Sequence, residues 1–405
     1  MMEVTSMHKR LASAAAAAFL ALSVAGPAAA QPKPYTIDVI LSLSGAAAAI
    51  GQSEAASLGV YEKLANRQGG IRGTPVHFEI ADDQSNAATA VQLASAILTK
   101  HPSVVMGSSI VGPTQAMAPL FKDGPVLYAS TPLLYPEKGS YVFASGASSR
   151  HNMAAAVRYF RLSGYTKIAM LSTSDASGQD NLHSLDLAMA LPENKAMQVV
   201  AREQFAIGDI SVASQISHIK ASGAQALFAY PTGAPFGTVL RAVTDAGLNL
   251  PIDTAGTNLD PVLLERFKAV LPQSELIIAN ASFFNRDRKA TDPLKAPIEE
   301  FYAELAAAGL RPTVAHAFTW DPARIIVSAL RKFGTGATPT QIRDYIESLH
   351  GFPGVSGLYD FRTGDQHGLT QDAQVVIRYD PTSSNGLRIV SEQGGAPLPK
   401  GAVTR

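Results

Sequence analysis

The chain has 405 residues, no cysteine and one tryptophan, and its 33 Lys and Arg balance 33 Asp and Glu. Without cysteine there can be no disulfide, thiolate metal site, cysteine nucleophile or lipid-modified N-terminal cysteine. A net charge of zero supplies no basic field to gather nucleic acid. Catalytic signatures are missing too: no G-x-S-x-G elbow, P-loop, H-E-x-x-H or complete G-x-G-x-x-G. The nine histidines are scattered without metal-ligand spacing. No catalytic residue, cofactor or metal is expected, and the chain is not read as an enzyme. An exported α/β hydrolase using Ser or Asp would need the absent elbow. Beyond residue 30 no run reaches the roughly 20 apolar residues a spanning helix needs.

What is present suits a globular protein of two domains, with 46% hydrophobic and 16% charged residues. Residues 1–30 stand apart. Lys9-Arg10 precede the Ala/Leu-rich stretch from Leu11 to Val24, and Ala28-Ala29-Ala30 offer a cleavage site before Gln31. This reads as a secretory signal peptide, with Met7 as an alternative start. The competing reading, a membrane anchor, would need a longer apolar core.

The organising stretch is residues 39–84. An apolar strand, Val39 to Leu43, breaks at Ser44-Gly45, and a helical pattern runs from Glu54 to Asn66. The turn Gly69-Gly70-Ile71-Arg72-Gly73 ends that helix, and a strand from Val76 to Ile80 closes on Asp82-Asp83. Strand–helix units continue to Ser130-Thr131-Pro132, and a second succession starts near residue 151. Continuous apolar strands argue for parallel sheets covered on both faces. Paired carboxylates such as Asp82-Asp83 raise the possibility of acid/base or metal chemistry, but here they are read as structural, capping a helix or tying loops together.

The Ser44-Gly45 loop, Gly51, the glycine turn and Asp82-Asp83 together resemble the opening of the type I periplasmic solute-binding proteins of ABC transporters, in the branched-chain amino-acid-binding family. The resemblance covers roughly residues 35–390. It implies an α/β, two-lobed fold, each lobe a mostly parallel doubly wound sheet flanked by helices, joined by a three-stranded hinge. The lobes are expected at 35–150 plus 283–350 and at 151–282 plus 351–390, with crossings near 147–152, 280–285 and 350–360. Residues 391–405 form a Gly/Pro-rich tail expected to fray from Gly394. The implied partners are a small-molecule solute and the permease and ATPase subunits of the transporter; nucleic acid is not among them, and the protein itself does not span the membrane. With the missing cysteine, the resemblance favours the periplasm.

Ligands of doubly wound sheets collect beyond the C-terminal strand ends. In the first lobe these loops are 42–50, 107–113 and 130–135; in the second they are 172–178, 230–233 and 255–260. They supply the candidates Ser44, Ser109, Ile110, Ser130, Thr131, Asp175, Tyr230, Thr257 and Asn258. Small hydroxyl residues there also serve as helix caps. The family's amino-acid binders hold the ligand carboxylate with a serine and a threonine, and its ammonium with acidic and aromatic groups. Those positions fall at Val111 and Leu134, and the aromatic ones at Ile50, Ser177 and near Thr232, while the glutamate falls near Gly256. A buried ammonium without a carboxylate is costly by several kcal/mol. Arg150-His151 at the first crossing are candidate donors to a carboxylate. Phe283, with Phe284, Trp320, Tyr128 and Tyr230, is a candidate to line an apolar slot. The expected ligand is therefore an aromatic or other apolar carboxylic acid. The alternatives are an amino-acid or amide binder of the same family, and a ligand sensor for a regulatory partner.

Overall fold

The computed structural model describes residues 33–259, 261–272, 275–383 and 386–399. The signal-peptide reading of residues 1–30, with Met7 and Gln31, lies outside them, as do Asp260 and the end of the tail.

The first sheet is built from β1 (Tyr35–Leu41), β2 (Val76–Asp82), β3 (Val104–Gly107), β4 (Val126–Ala129) and β5 (Val142–Ala144). Its order is β2-β1-β3-β4-β5, and every neighbouring pair is parallel. Ile37, Val39 and Leu41 of β1 enter one apolar cluster while Ile40 enters another, so both faces are covered. That double burial is why the strand reads as a continuous apolar run. Between the strands lie α1 (Ala48–Arg67), α2 (Ala87–Leu98) and α3 (Val111–Met117). Asn86 caps α2 by accepting from the Ala88 and Thr89 N–H groups.

The chain then passes to α4 (Ser149–Leu162), β6 (Lys167–Thr173), α5 (Ala176–Met189), β7 (Gln198–Phe205), α6 (Ala213–Ala221), β8 (Ala226–Ala229), α7 (Ala234–Asp245), β9 (Ile252–Thr254), α8 (Pro261–Phe267) and β10 (Leu276–Ala281). From there α9 (Lys295–Ala307), α10 (Val314–Phe333) and α11 (Pro339–Ser348) return to the first lobe. Trp320 of α10 sits between Tyr61 of α1 and Phe301 of α9, with ring centroids 5.3 and 5.1 Å away. Burying one large apolar side chain is worth roughly 1.5–3 kcal/mol, so this knot fixes α9 and α10 to the first lobe. A hairpin, β11 (His350–Pro353) with β12 (Leu358–Asp360), precedes β13 (Gln374–Tyr379) and β14 (Leu387–Ile389). The second sheet runs β14-β13-β10-β9-β8-β6-β7, parallel except where β13 meets β10 and β14.

The two lobes start alike. A Cβ on Gly51 would stand 2.2 Å from the Ser42 carbonyl oxygen, and one on Gly178 would stand 1.7 Å from that of Thr173. Each glycine lets a first helix begin against the end of its preceding strand.

Three details differ from the sequence reading. The hairpin, expected with the second lobe, belongs with the first. The buried Asp321 carboxylate of α10 accepts from the Val355 and Ser356 N–H groups, both at 2.8 Å, and from the Tyr359 hydroxyl at 3.0 Å. The third passage therefore follows Phe361, later than 350–360. Residues 391–399 are not frayed, since Gly394 and Gly395 are buried and Leu398 N–H donates to Val390 at 2.9 Å. Short elements such as β5, β9 and the hairpin carry too few residues to show a period.

Candidate ligand-binding site

The strand ends of both sheets face a shared cavity of about 200 Å³ between the lobes. Ile50 at the start of α1, and Ser109, Ile110 and Val111 after β3, form much of the first wall. Thr131 follows β4 in the same wall. From the second lobe come Asp175 and Ser177 after β6, Tyr230 and Thr232 after β8, and Thr257 after β9. These ten of the predicted residues are brought together.

The other seven lie elsewhere, each for a visible reason. Ser44 is exposed, and its hydroxyl donates to Asp82 at 2.6 Å. Ser130 is fully buried beside the cavity rather than in its lining. Leu134 packs into the cluster on the far face of the first sheet, and Leu133 lines the cavity instead. Arg150 stacks its guanidinium 3.6 Å above the Tyr135 ring. His151 bonds to Ser148 and stands 4.0 Å from Asp365. Asn258 spends its amide on Gly233, Pro231 and Thr254, bracing two loops. Phe283 is core, stacked on Phe284 with centroids 4.1 Å apart.

Several lining residues gave no sequence signal. Asn152 in the first turn of α4 and Asn181 within α5 line the cavity. The Asn152 Oδ1 atom is buried with no hydrogen-bond partner among the described residues, as is Thr257 Oγ1. Val314, Ala317 and Phe318 at the start of α10 blend into an ordinary amphipathic pattern.

The electrostatics lie just behind the lining. Asp82 and Asp83 tie the loops, as a structural pair. Asp83 is fully buried and accepts from Ser42 Oγ at 2.7 Å, from the Ser85 N–H at 2.8 Å and from Ser108 Oγ. Glu54 of α1, also fully buried, shares a hydrogen bond with Ser109 Oγ, and its Oε1 has no partner among the described residues. Burial drives the Glu54 carboxyl well above its ordinary range, with Asp83 adding to the rise and the Ser109 bond opposing it. In the second lobe the Tyr230 hydroxyl lies 2.5 Å from the buried Asp253 carboxyl, whose pKa burial pushes up to about 8. Among the described residues no Lys, Arg or His lines the cavity, and no group of His, Asp or Glu is placed to hold a metal.

Two α/β lobes joined by three passages, sharing a cleft of hydroxyl and apolar groups, define a binding protein for small solutes. The chain belongs to the periplasmic binding protein family, whose model matches residues 34–377. Its members are solute-binding proteins of ABC-type transporters rather than enzymes. An extracellular ligand-binding receptor from Rhodopseudomonas palustris HaA2 shares 22% identity and a TM-score of 0.77, over 88% of this chain and 99% of that one. LivJ, the branched-chain amino acid transporter substrate-binding protein of Streptococcus pneumoniae, solved with isoleucine, shares 18% at a TM-score of 0.70, over 88% and 99%. An ABC-transporter solute-binding protein from R. palustris, solved with benzoate, shares 16% at 0.72, over 91% and 99%. No curated protein sequence matches the chain.

Proposed function

We propose that the protein is the exported, periplasmic solute-binding component of an ABC importer, and that it carries a small apolar carboxylic acid, aromatic or aliphatic, to the permease and its ATPase subunits. The composition of the lining carries this reading. Apolar groups, including Ile50, Ile110, Val111, Leu133 and Phe318, surround hydroxyls such as Ser109 and Thr131. A carboxylate can be held by such neutral donors, whereas an enclosed ammonium needs a carboxylate beside it. Among the described residues the one carboxylate in the lining, Asp175, is exposed. Its Oδ1 already accepts from Thr173 Oγ1 at 2.6 Å and from the Gly178 N–H at 2.9 Å, as the cap of α5.

A second reading, an amino acid or amide, draws on that same Asp175 and on the carboxamides of Asn152 and Asn181. A thermal-shift panel on the mature protein separates the two, because a ligand that binds only the folded state raises Tm by mass action. Benzoate, cinnamate and phenylacetate are expected to raise Tm while leucine and valine do not. A shift with leucine or valine alone would sink the apolar-acid reading and favour the second. Closure over the solute is read by solution scattering, where no compaction with a bound acid would count against hinge motion.

A further inference from the structure

We infer that Glu54 is a protonated positioning residue that fixes Ser109 as a hydrogen-bond donor toward the cavity, so that the first wall selects an anionic group; this deepens the apolar-acid reading and rests on it. A serine hydroxyl has one proton and two lone pairs. The Ser42 N–H, 3.1 Å from Ser109 Oγ, can only donate, and so occupies one lone pair. Among the described residues the remaining partner of Ser109 Oγ is Glu54 Oε2. If Glu54 is ionised it takes the serine proton, and Ser109 can show the solute only a lone pair, which a carboxylate does not want. If Glu54 carries the proton it fills the second lone pair, and the serine proton is left for the solute. The state of one acid thus sets the polarity of the hydroxyl in front of it.

The surroundings favour the protonated form. Glu54 is 0% exposed. From the turn after β2 the facing ionisable group is Asp83, a second acid. The loop after β3 contributes only Ser108 and Ser109, and α10 contributes Thr319, whose hydroxyl donates to the Glu54 carbonyl oxygen at 3.0 Å. His316, one turn earlier on α10, bonds through Nδ1 to Thr313 and lends its carbonyl oxygen to Ser57. No ion pair to Glu54 or Asp83 occurs among the described residues. Asp83 meets three donors and Glu54 one, so Glu54 lacks the polar contacts that would stabilise a buried carboxylate.

The test compares the mature wild type with Glu54→Gln, whose amide gives Ser109 a permanent donor, and with Ser109→Ala. A carboxyl with its folded pKa raised contributes stability that is fully present below the ordinary carboxylate value and is lost as pH rises through the folded value. As pH rises above the ordinary carboxylate value, wild-type stability is expected to fall relative to Glu54→Gln, by up to about tenfold in the folding equilibrium per pH unit. Parallel curves would show Glu54 ionised in the fold and overturn the inference. Benzoate affinity is expected to drop about tenfold in Ser109→Ala, the loss typical of a hydrogen bond to a charged group. It should not tighten in Glu54→Gln. Tightening of about tenfold there would mean a negative charge had been removed from behind the site, and would also overturn it. If no acid on the panel binds, the apolar-acid reading fails separately, and the stability curves alone decide the state of Glu54.

Discussion

Ser109 in the first wall of the cavity is backed by Glu54, and Tyr230 in the second wall is backed by Asp253; both acids are fully buried. Each pair puts a hydroxyl in the lining and a carboxyl, raised by burial, behind it. They differ in company. Glu54 has Asp83 nearby, where three donors converge, while among the described residues no second acid acts on Asp253. Elsewhere in the first lobe Asp321 is likewise buried and likewise meets three donors. The comparison teaches that burial alone does not say what an acid does. An acid ringed by donors ties segments together; Glu54, with one hydroxyl partner, is placed to hold a proton and set that partner's polarity, while Asp253 also accepts from the Ala279 N–H.

The largest effect should come from breaking a donor-ringed acid. Asp321→Ala leaves two backbone N–H groups and the Tyr359 hydroxyl unpaired, at roughly 1–3 kcal/mol each. Denaturant unfolding should show a loss of about 3 kcal/mol or more, and a loss below about 1 kcal/mol would show that the hairpin is held by something else. Asp253→Asn probes the other kind. With its folded pKa at about 8, Asp253 contributes stability that is complete below about pH 4 and lost as pH rises toward 8. Raising the pH from about 6 to about 7 should cost the wild type up to about 1.4 kcal/mol that the variant keeps. Equal slopes would contradict a protonated Asp253. Asp175→Ala should remove about 1 kcal/mol through the lost cap of α5, with unchanged ellipticity per folded molecule. Smallest is Arg150→Leu. It gives up a stacking contact with Tyr135 worth about 0.5–1 kcal/mol, and should leave benzoate affinity unchanged, since Arg150 lies outside the lining. A clear loss of affinity would bring Arg150 back as a ligand clamp.

The architecture was legible because long strands covered on both faces announce themselves. Tyr35–Leu41 and Lys167–Thr173 carry such buried runs. The loops were legible by position, since strand ends point them at one another. Which side chain of a loop turns inward was harder to read: Leu133 lines the cavity and Leu134 does not, a one-residue difference that reverses the side. The aromatics misled for a simple reason. Phe283 and Trp320 are large, and a large apolar group gains more from a packed core than from a cleft that must empty. Glu54 was hidden altogether, as an acid at the start of a helical pattern looks like an ordinary solvated position.

That no cationic side chain lines the cavity among the described residues has a consequence for loading and release of the proposed carboxylate. Attraction between full charges weakens as dissolved ions screen it, over a distance of about 8 Å at physiological ionic strength. A carboxylate gripped by hydroxyl dipoles inside a closed cleft is held by short, directional forces that such screening hardly reaches. Capture should then vary little from dilute to salty surroundings, and unloading at the membrane need not tear apart an ion pair.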